Sequence, residues 1–233
     1  MGLTSDDPAT LANSAEPTAV DHPPEEPLLQ ILATEHWSLL ASRSLAWNES
    51  FTRTSMFLST LSFAVVALAL VGQATRFGEE FRIFALVVLP VVLFVGITTS
   101  FRLENSSYHD VICIAGMNRI RANYLMLAPS MKDVFVMGVT DDARGITLTA
   151  ANAPGRSWLT DVLASTPALV GVLNATLAGA IAGLLLLHLG AGVIGSLAAA
   201  VAIFVIAFVI QAIQWRRGFN ELVKTYRPVY PDE

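Results

Sequence analysis

The residues best suited to chemistry are few. Glu35, His36, Tyr108, His109 and Asp110 supply imidazole, carboxylate and phenol groups. A set of His and carboxylate ligands can hold a metal ion. These residues would meet only if two separate helices pair, and their spacing matches no standard metal motif, so hydrogen bonds between helices are the plainer reading. Asp141 and Asp142, with Asp133 nearby, would resemble a metal-dependent phosphotransfer site only if further carboxylates converged on them. Cys113 is the one cysteine, which rules out an intrachain disulfide and points to a structural thiol. No P-loop, G-x-S-x-G, H-E-x-x-H or paired-Cys motif occurs. The expectation is a protein that is not an enzyme and carries no cofactor or metal.

Two further groups carry polarity without a reaction. Arg119 and Arg121 stand in the run Asn118-Arg119-Ile120-Arg121, followed by Tyr124-Leu125. Their guanidinium groups would pair with Glu35, Glu49 or Glu104, or contact anionic lipid head groups. Asn174 and Gln211 are amides inside otherwise apolar segments. An amide there more often bonds across helices than holds a substrate. His188 reads as a solvated interfacial histidine.

These groups must be positioned by elements that lie largely in lipid. From Val162 to Trp215 there is no Asp, Glu, Lys or Arg. A bilayer-spanning helix needs about 20 apolar residues, so this stretch holds two spans. The chain of 233 residues is 54% hydrophobic and only 14% charged, against about 25% charged in a soluble domain. Two earlier apolar runs complete a set of four. The first lies between Arg53 and Arg76, and the second runs from Ile83 to Phe101. Pro167 opens the third span, Gly190 and Gly192 turn the chain, and the fourth runs from about Ile194 to Trp215.

Orientation follows from the basic residues. Of the 14 Lys and Arg, only Arg76 and Arg82 lie between spans one and two. The others fall before span one, between spans two and three, or after span four. The positive-inside rule then puts both termini in the cytoplasm of a cell-membrane protein. With net charge -5 and no global basic bias, no nucleic-acid partner is expected.

Three spans are predicted to continue as cytosolic helices. No Gly or Pro occurs from Leu28 to Val71, and Trp37, Leu40, Trp47 and Phe51 form one apolar stripe at helical spacing. Span two runs on through Leu127 to a stop at Pro129, with Pro90 and Gly96 as a kink site. Span four runs on through Trp215, Phe219, Leu222, Val223 and Tyr226 to Pro228. The fold class is therefore an all-α membrane protein: four transmembrane helices with long cytosolic extensions of spans one, two and four. Residues 1–26 read as a disordered acidic tail without signal-peptide features. Residues 27–128 form a cytosolic helix plus the first transmembrane hairpin, 129–160 a cytosolic loop region, and 161–233 the second hairpin with its extension. Within the loop region, Val134–Val139 and Ile146–Thr149 allow either a short β-hairpin or a helical turn followed by loop. Asn152–Gly155 reads as loop, and Trp158 with Leu159 as an interfacial anchor.

Span three carries Gly171, Ala175, Gly179 and Gly183 at four-residue steps. Such a face lets helix backbones approach closely in lipid. It serves packing against the Ala-rich span four, subunit association, or the lining of a pore. No ionisable residue lies mid-span, which argues against a proton-coupled transporter or voltage sensor.

The Asn118-Arg119-Ile120-Arg121 run with Tyr124-Leu125, and Asp141-Asp142 downstream, resembles a motif of uncharacterised bacterial membrane proteins of the same layout. Over residues 28–128 the layout also resembles SLATT-type conflict-system effectors, which pair a transmembrane hairpin with cytosolic helices. That resemblance implies oligomerisation into pores, and no catalytic residue. The leading expectation is a self-associating pore, channel or membrane effector in the bilayer. The alternative is a non-conducting scaffold or signalling adaptor whose helical bundle recruits a cytosolic protein partner.

Overall fold

In the computed structural model, residues 25–150 and 165–231 are described, apart from the side chains of Glu25 and Val223. They are all helical, with no strand among them. Helix α1 spans Glu25–Ala74 and α2 spans Glu79–Leu127. A short 3-10 turn follows at Pro129–Val134, then α3 at Ala143–Ala150. Helix α4 spans Thr166–His188 and α5 spans Val193–Thr225. The four long helices are long and apolar enough to cross a membrane, so the chain is a membrane protein with four candidate spans. The expectations for residues 1–24 and for Asn152–Gly155, Trp158 and Leu159 lie outside the described residues.

Local chemistry sets the helix ends. Pro27 sits in the first turn of α1, where its missing N–H costs nothing. The four-residue turn Thr75–Gly78 reverses the chain with Arg76 and Phe77 at positive φ of 52° and 57°. Phe77 then lays its ring over Gly72, where a Cβ would stand 2.5 Å from the ring. Ser165 caps α4 by accepting from the Ala168 N–H at 3.3 Å, with Pro167 in the first turn. Gly190 turns the chain at φ 86° before α5 begins.

At 1.5 Å per residue, the 50 residues of α1 reach ~75 Å, more than twice a ~30 Å hydrocarbon layer. Helix α2 is of nearly the same length, 49 residues, and is a single helix through both Pro90 and Gly96. Gly96 is small for a packing reason. A Cβ there would meet Asn174 Oδ1 of α4 at 1.9 Å and the Phe57 ring of α1 at 2.8 Å. Phe57, Ala85, Val92 and Val170 bury around this point as the intramembrane core. Helix α2 is central: α1 and α4 pack on it, and α5 packs mainly on α4. Within residues 129–150, the described part of the loop region, the chain forms a helical turn and a short helix. The β-hairpin expected as one alternative is absent, because Ile146–Thr149 lie inside α3.

The glycine-stepped face of α4 is turned toward α5. A Cβ on Gly179 would stand 2.6 Å from the Ala200 carbonyl oxygen, and one on Gly183 3.1 Å from Ala200 Cβ. Gly195, by contrast, faces open space. Gly179→Ala is therefore expected to destabilise the detergent-solubilised protein by about 1–3 kcal/mol. Gly195→Ala should be neutral or slightly stabilising through helix propensity. Thermal unfolding of the two variants side by side checks this pair.

Candidate functional site

Polar groups gather at two places. The first lies within the spans. Asn174 Nδ2 of α4 donates to Ser100 Oγ of α2 at 2.9 Å, and Gln211 Nε2 of α5 donates to the same oxygen at 2.8 Å. The two amides singled out in the sequence thus share one hydroxyl, which ties three helices together. Asn174 Oδ1 has no hydrogen-bond partner and lies against the Gly96 backbone. Beside this node Gly171 packs on the Gln211 side chain, and Ala175 is buried. All four residues of the small-residue face thus lie inside the fold or against α5.

The second place is built on the end of α2. Asp141 is fully buried and takes four donors from its own chain. Arg119 Nε lies at 2.6 Å, the Tyr226 hydroxyl at 2.9 Å, the Val229 N–H at 2.9 Å and the Tyr230 N–H at 2.8 Å. Arg119 also donates to the Tyr226 hydroxyl and to the Arg227 carbonyl, and its guanidinium lies 5.2 Å from the Tyr226 ring centre. Beside it the fully buried Asn118 donates to the Thr140 carbonyl at 2.8 Å. Its Oδ1 accepts from Arg121 at 2.7 Å and from the Thr149 hydroxyl at 3.0 Å. Asp142 accepts from Thr140 Oγ1 and from the Gly145 N–H. The Asn-Arg-Ile-Arg run therefore binds the 138–149 segment and the chain's C-terminal stretch to one turn of α2.

Electrostatics explain why this buried carboxylate stays charged. Burial alone would raise its pKa. The Val229 N–H, the Arg119 guanidinium, the Tyr230 N–H and the Tyr226 hydroxyl together outweigh burial and hold Asp141 below the usual carboxylate range. The Tyr226 phenol moves the other way, to about 12, through burial first and then its bond to Asp141. It therefore stays protonated as a donor. With its oxygens engaged by these donors, Asp141 is a structural anchor rather than a free base.

The expected partners of the arginines are corrected here. Arg119 pairs with Asp141, and Arg121 donates to Asn118 and to the Gly138 carbonyl. Neither reaches Glu35, Glu49 or Glu104. Glu35 is exposed. Glu49 instead accepts from Arg53 Nε at 3.0 Å and Arg102 Nε at 2.9 Å, clamping α1 to α2. The Arg102 bond first, and then the Arg53 bond, lowers its pKa. Glu104 accepts from Tyr108 at 2.5 Å. The physical reason is reach: Asp141 is folded back onto Arg119, whereas Glu49 and Glu104 sit turns away along the hairpin.

The possible metal set is dispersed as well. Asp110 accepts from Arg43 Nε at 2.5 Å and Trp47 Nε1 at 2.9 Å. His109 lies 3.3 Å from Ser42 Oγ and 3.6 Å from Cys113 Sγ. Burial, and then the Asp110 charge, raise the Cys113 pKa, so the thiol is a poor nucleophile. Burial, and then Arg121, lower the His36 pKa and keep it neutral near pH 7. Among the described residues, no group of three or more His, Cys, Asp or Glu converges as a metal site. Sequence reasoning missed Tyr226 and the 226–230 stretch as partners of Asp141, since no local spacing links them to it.

The geometry defines an all-helical protein with four helices long and apolar enough to cross a membrane, a polar node between them and a buried ionic latch at the end of α2. No family model, curated protein or solved structure matches the chain.

The latch sets a pH dependence. Asp141's folded pKa lies below its unfolded value of ~3.9, so its contribution is fully present above that value and fades as pH falls through the folded one. The wild-type thermal midpoint should drop between about pH 5 and pH 2 more steeply than that of Asp141→Asn. At pH 7 the variant should be less stable by about 3 kcal/mol, the low end for breaking a buried pair because Arg119 is partly solvated.

Proposed function

We propose that the protein is a self-associating membrane effector that assembles into a pore, with α1 as the contact between copies. The observation that carries this reading is the inverted polarity of α1. Beyond the span, Trp37, Leu40, Trp47 and Phe51 are 70%, 39%, 45% and 51% exposed. Within the span, Ser55, Ser59 and Ser62 are exposed. At 3.6 residues per turn, all seven fall within about a third of the helix circumference. One face is thus apolar where water would bathe it and hydroxylated where lipid would. A second copy relieves both mismatches at once, burying the rings and surrounding the hydroxyls with polar groups or water.

The distribution of basic residues supports a reading with both termini, and the extensions of α1, α2 and α5, on the cytoplasmic side of the cell membrane. There α5 reaches α2, for Gly218 lies against the Tyr108 hydroxyl and Glu104. The three extensions form a cytosolic bundle around the latch. The small-residue face of α4 does not support association, since α5 already covers it.

One observation favours the adaptor reading. Val134 and Val136 are 62% and 100% exposed, with Met131 and Met137 beside them. That apolar segment is a surface for a cytosolic protein.

Cysteine cross-linking and conductance separate these readings. In a Cys113→Ala background, Ser59→Cys should cross-link between chains under mild oxidation. Trp37→Ser with Phe51→Ser should reduce the mass of the solubilised particle. Wild-type protein in planar bilayers should conduct, and the double variant should not. A cross-linked but silent protein would leave the scaffold reading; a monomer without cross-links would sink self-association.

A further inference from the structure

Helices α2, α4 and α5 do not close on one another completely. Because α5 leans on α4, a cavity of about 390 Å³ remains between α5 and α2. That size is within the range of small-molecule sites. Its walls include Phe101 and Ile210, which are 53% and 51% exposed. The cavity therefore opens sideways, toward the layer that surrounds the spans.

Its polar wall is rich in acceptors. Glu104 lines the cavity, and among the described residues no Lys or Arg pairs with it; its partner is the Tyr108 hydroxyl. One helical turn away, Ser100 is taken up by Asn174 and Gln211. Gln211 spends its N–H on Ser100, which leaves its carbonyl oxygen as the acceptor. Apart from Asn174 and Gln214 the rest of the wall is apolar, with the aromatic Phe101, Phe208 and Trp215 among its residues. An uncompensated carboxylate among aromatic faces attracts positive charge, both directly and through the ring quadrupoles. The same carboxylate repels an anionic head group.

We propose that this cavity is a binding site for a lipophilic organic cation. Such a molecule enters from the side, rests its apolar groups against the wall near Leu93 and Ile97, and brings its positive charge toward Glu104 and Trp215. Binding needs one chain only, so it stands whether or not the protein forms a pore.

Equilibrium dialysis of tetraphenylphosphonium against the purified full chain in nanodiscs tests this. Saturable binding at one site per chain is expected. Glu104→Gln, which keeps an acceptor oxygen for Tyr108, should weaken binding at least about tenfold, with an unchanged thermal midpoint. Trp215→Leu should weaken it severalfold. Tetraphenylsilane, of similar shape without charge, should bind wild type and Glu104→Gln alike, and more weakly than the cation binds wild type. Non-saturable uptake, equal binding of the cation to wild type and Glu104→Gln, or equal affinity for the uncharged probe would each overturn the proposal. Should Glu104→Gln fail to fold, the Trp215→Leu result and the uncharged probe on wild type still decide it.

Discussion

Hydrocarbon offers no hydrogen bonds, and that constraint shapes the spans. Any polar group buried among them must be satisfied by the chain itself. Two amides meet the demand for their N–H groups by converging on a single hydroxyl, Ser100, while Asn174 Oδ1 is left without a partner. This fixes where α4 and α5 cross α2, because a shift by one residue along any of the three would separate donor from acceptor. Two further features follow from the geometry. Gly96 must lack a side chain, since Asn174 and Phe57 fill that space. The side of α5 turned toward α2 cannot close completely around the node, which leaves the open cavity beside Glu104.

The same helix that holds the node also holds the latch. Helix α2 is continuous from Glu79 to Leu127, so Ser100 and Arg119 are fixed on one rod about 28 Å apart at helical rise. Helix α5 is tied to that rod twice, by Gln211 at the node and by the residues just past its end at Asp141. Between these ties Gly218 lets it touch Tyr108 and Glu104. A helix whose most apolar segment is only 6% buried is thus held mainly at α4 and at its two polar anchors. Stability in that part of the molecule rests on a few directed bonds more than on area.

Much of this was legible in the sequence, and the misses share a cause. The four apolar runs, the stops at Pro129 and at Gly190, and the start at Pro167 obey rules of composition and local geometry, and the helices begin and end close to them. The partners of Arg119 do not obey such rules. Periodicity reports which residues share a face, not which of several acids a loop folds back. The stripe of Trp37, Leu40, Trp47 and Phe51 was readable as a stripe, yet apart from the Trp47 indole bonded to Asp110 it is not the face that meets α2. That face is built from His36, Leu39, Arg43, Ser50, Thr54 and Phe57. Smaller residues and ion pairs such as Arg43 with Asp110 bring the helices together there, while Trp37 and Phe51 stay outside.

The exposed sector of α1 also bears on symmetry. Two copies that met through one identical patch would close as a dimer about a two-fold axis. A pore needs each copy to present two different surfaces, one to each neighbour. Helix α1 has them. Its apolar flank is centred near Leu40, Trp47 and Phe51, and its hydroxyl flank near Ser55 and Ser59 is rotated from it by less than a quarter-turn at 100° per residue. In a ring, the rings of one flank seat against the neighbour outside the bilayer, and the hydroxyls of the other face inward along the axis. Such a path would carry no fixed charge, because no Asp, Glu, Lys or Arg lies on α1 between Arg53 and Arg76. Selection in it would rest on width and hydroxyl dipoles alone. Such a path would suit dissipating a gradient better than choosing an ion.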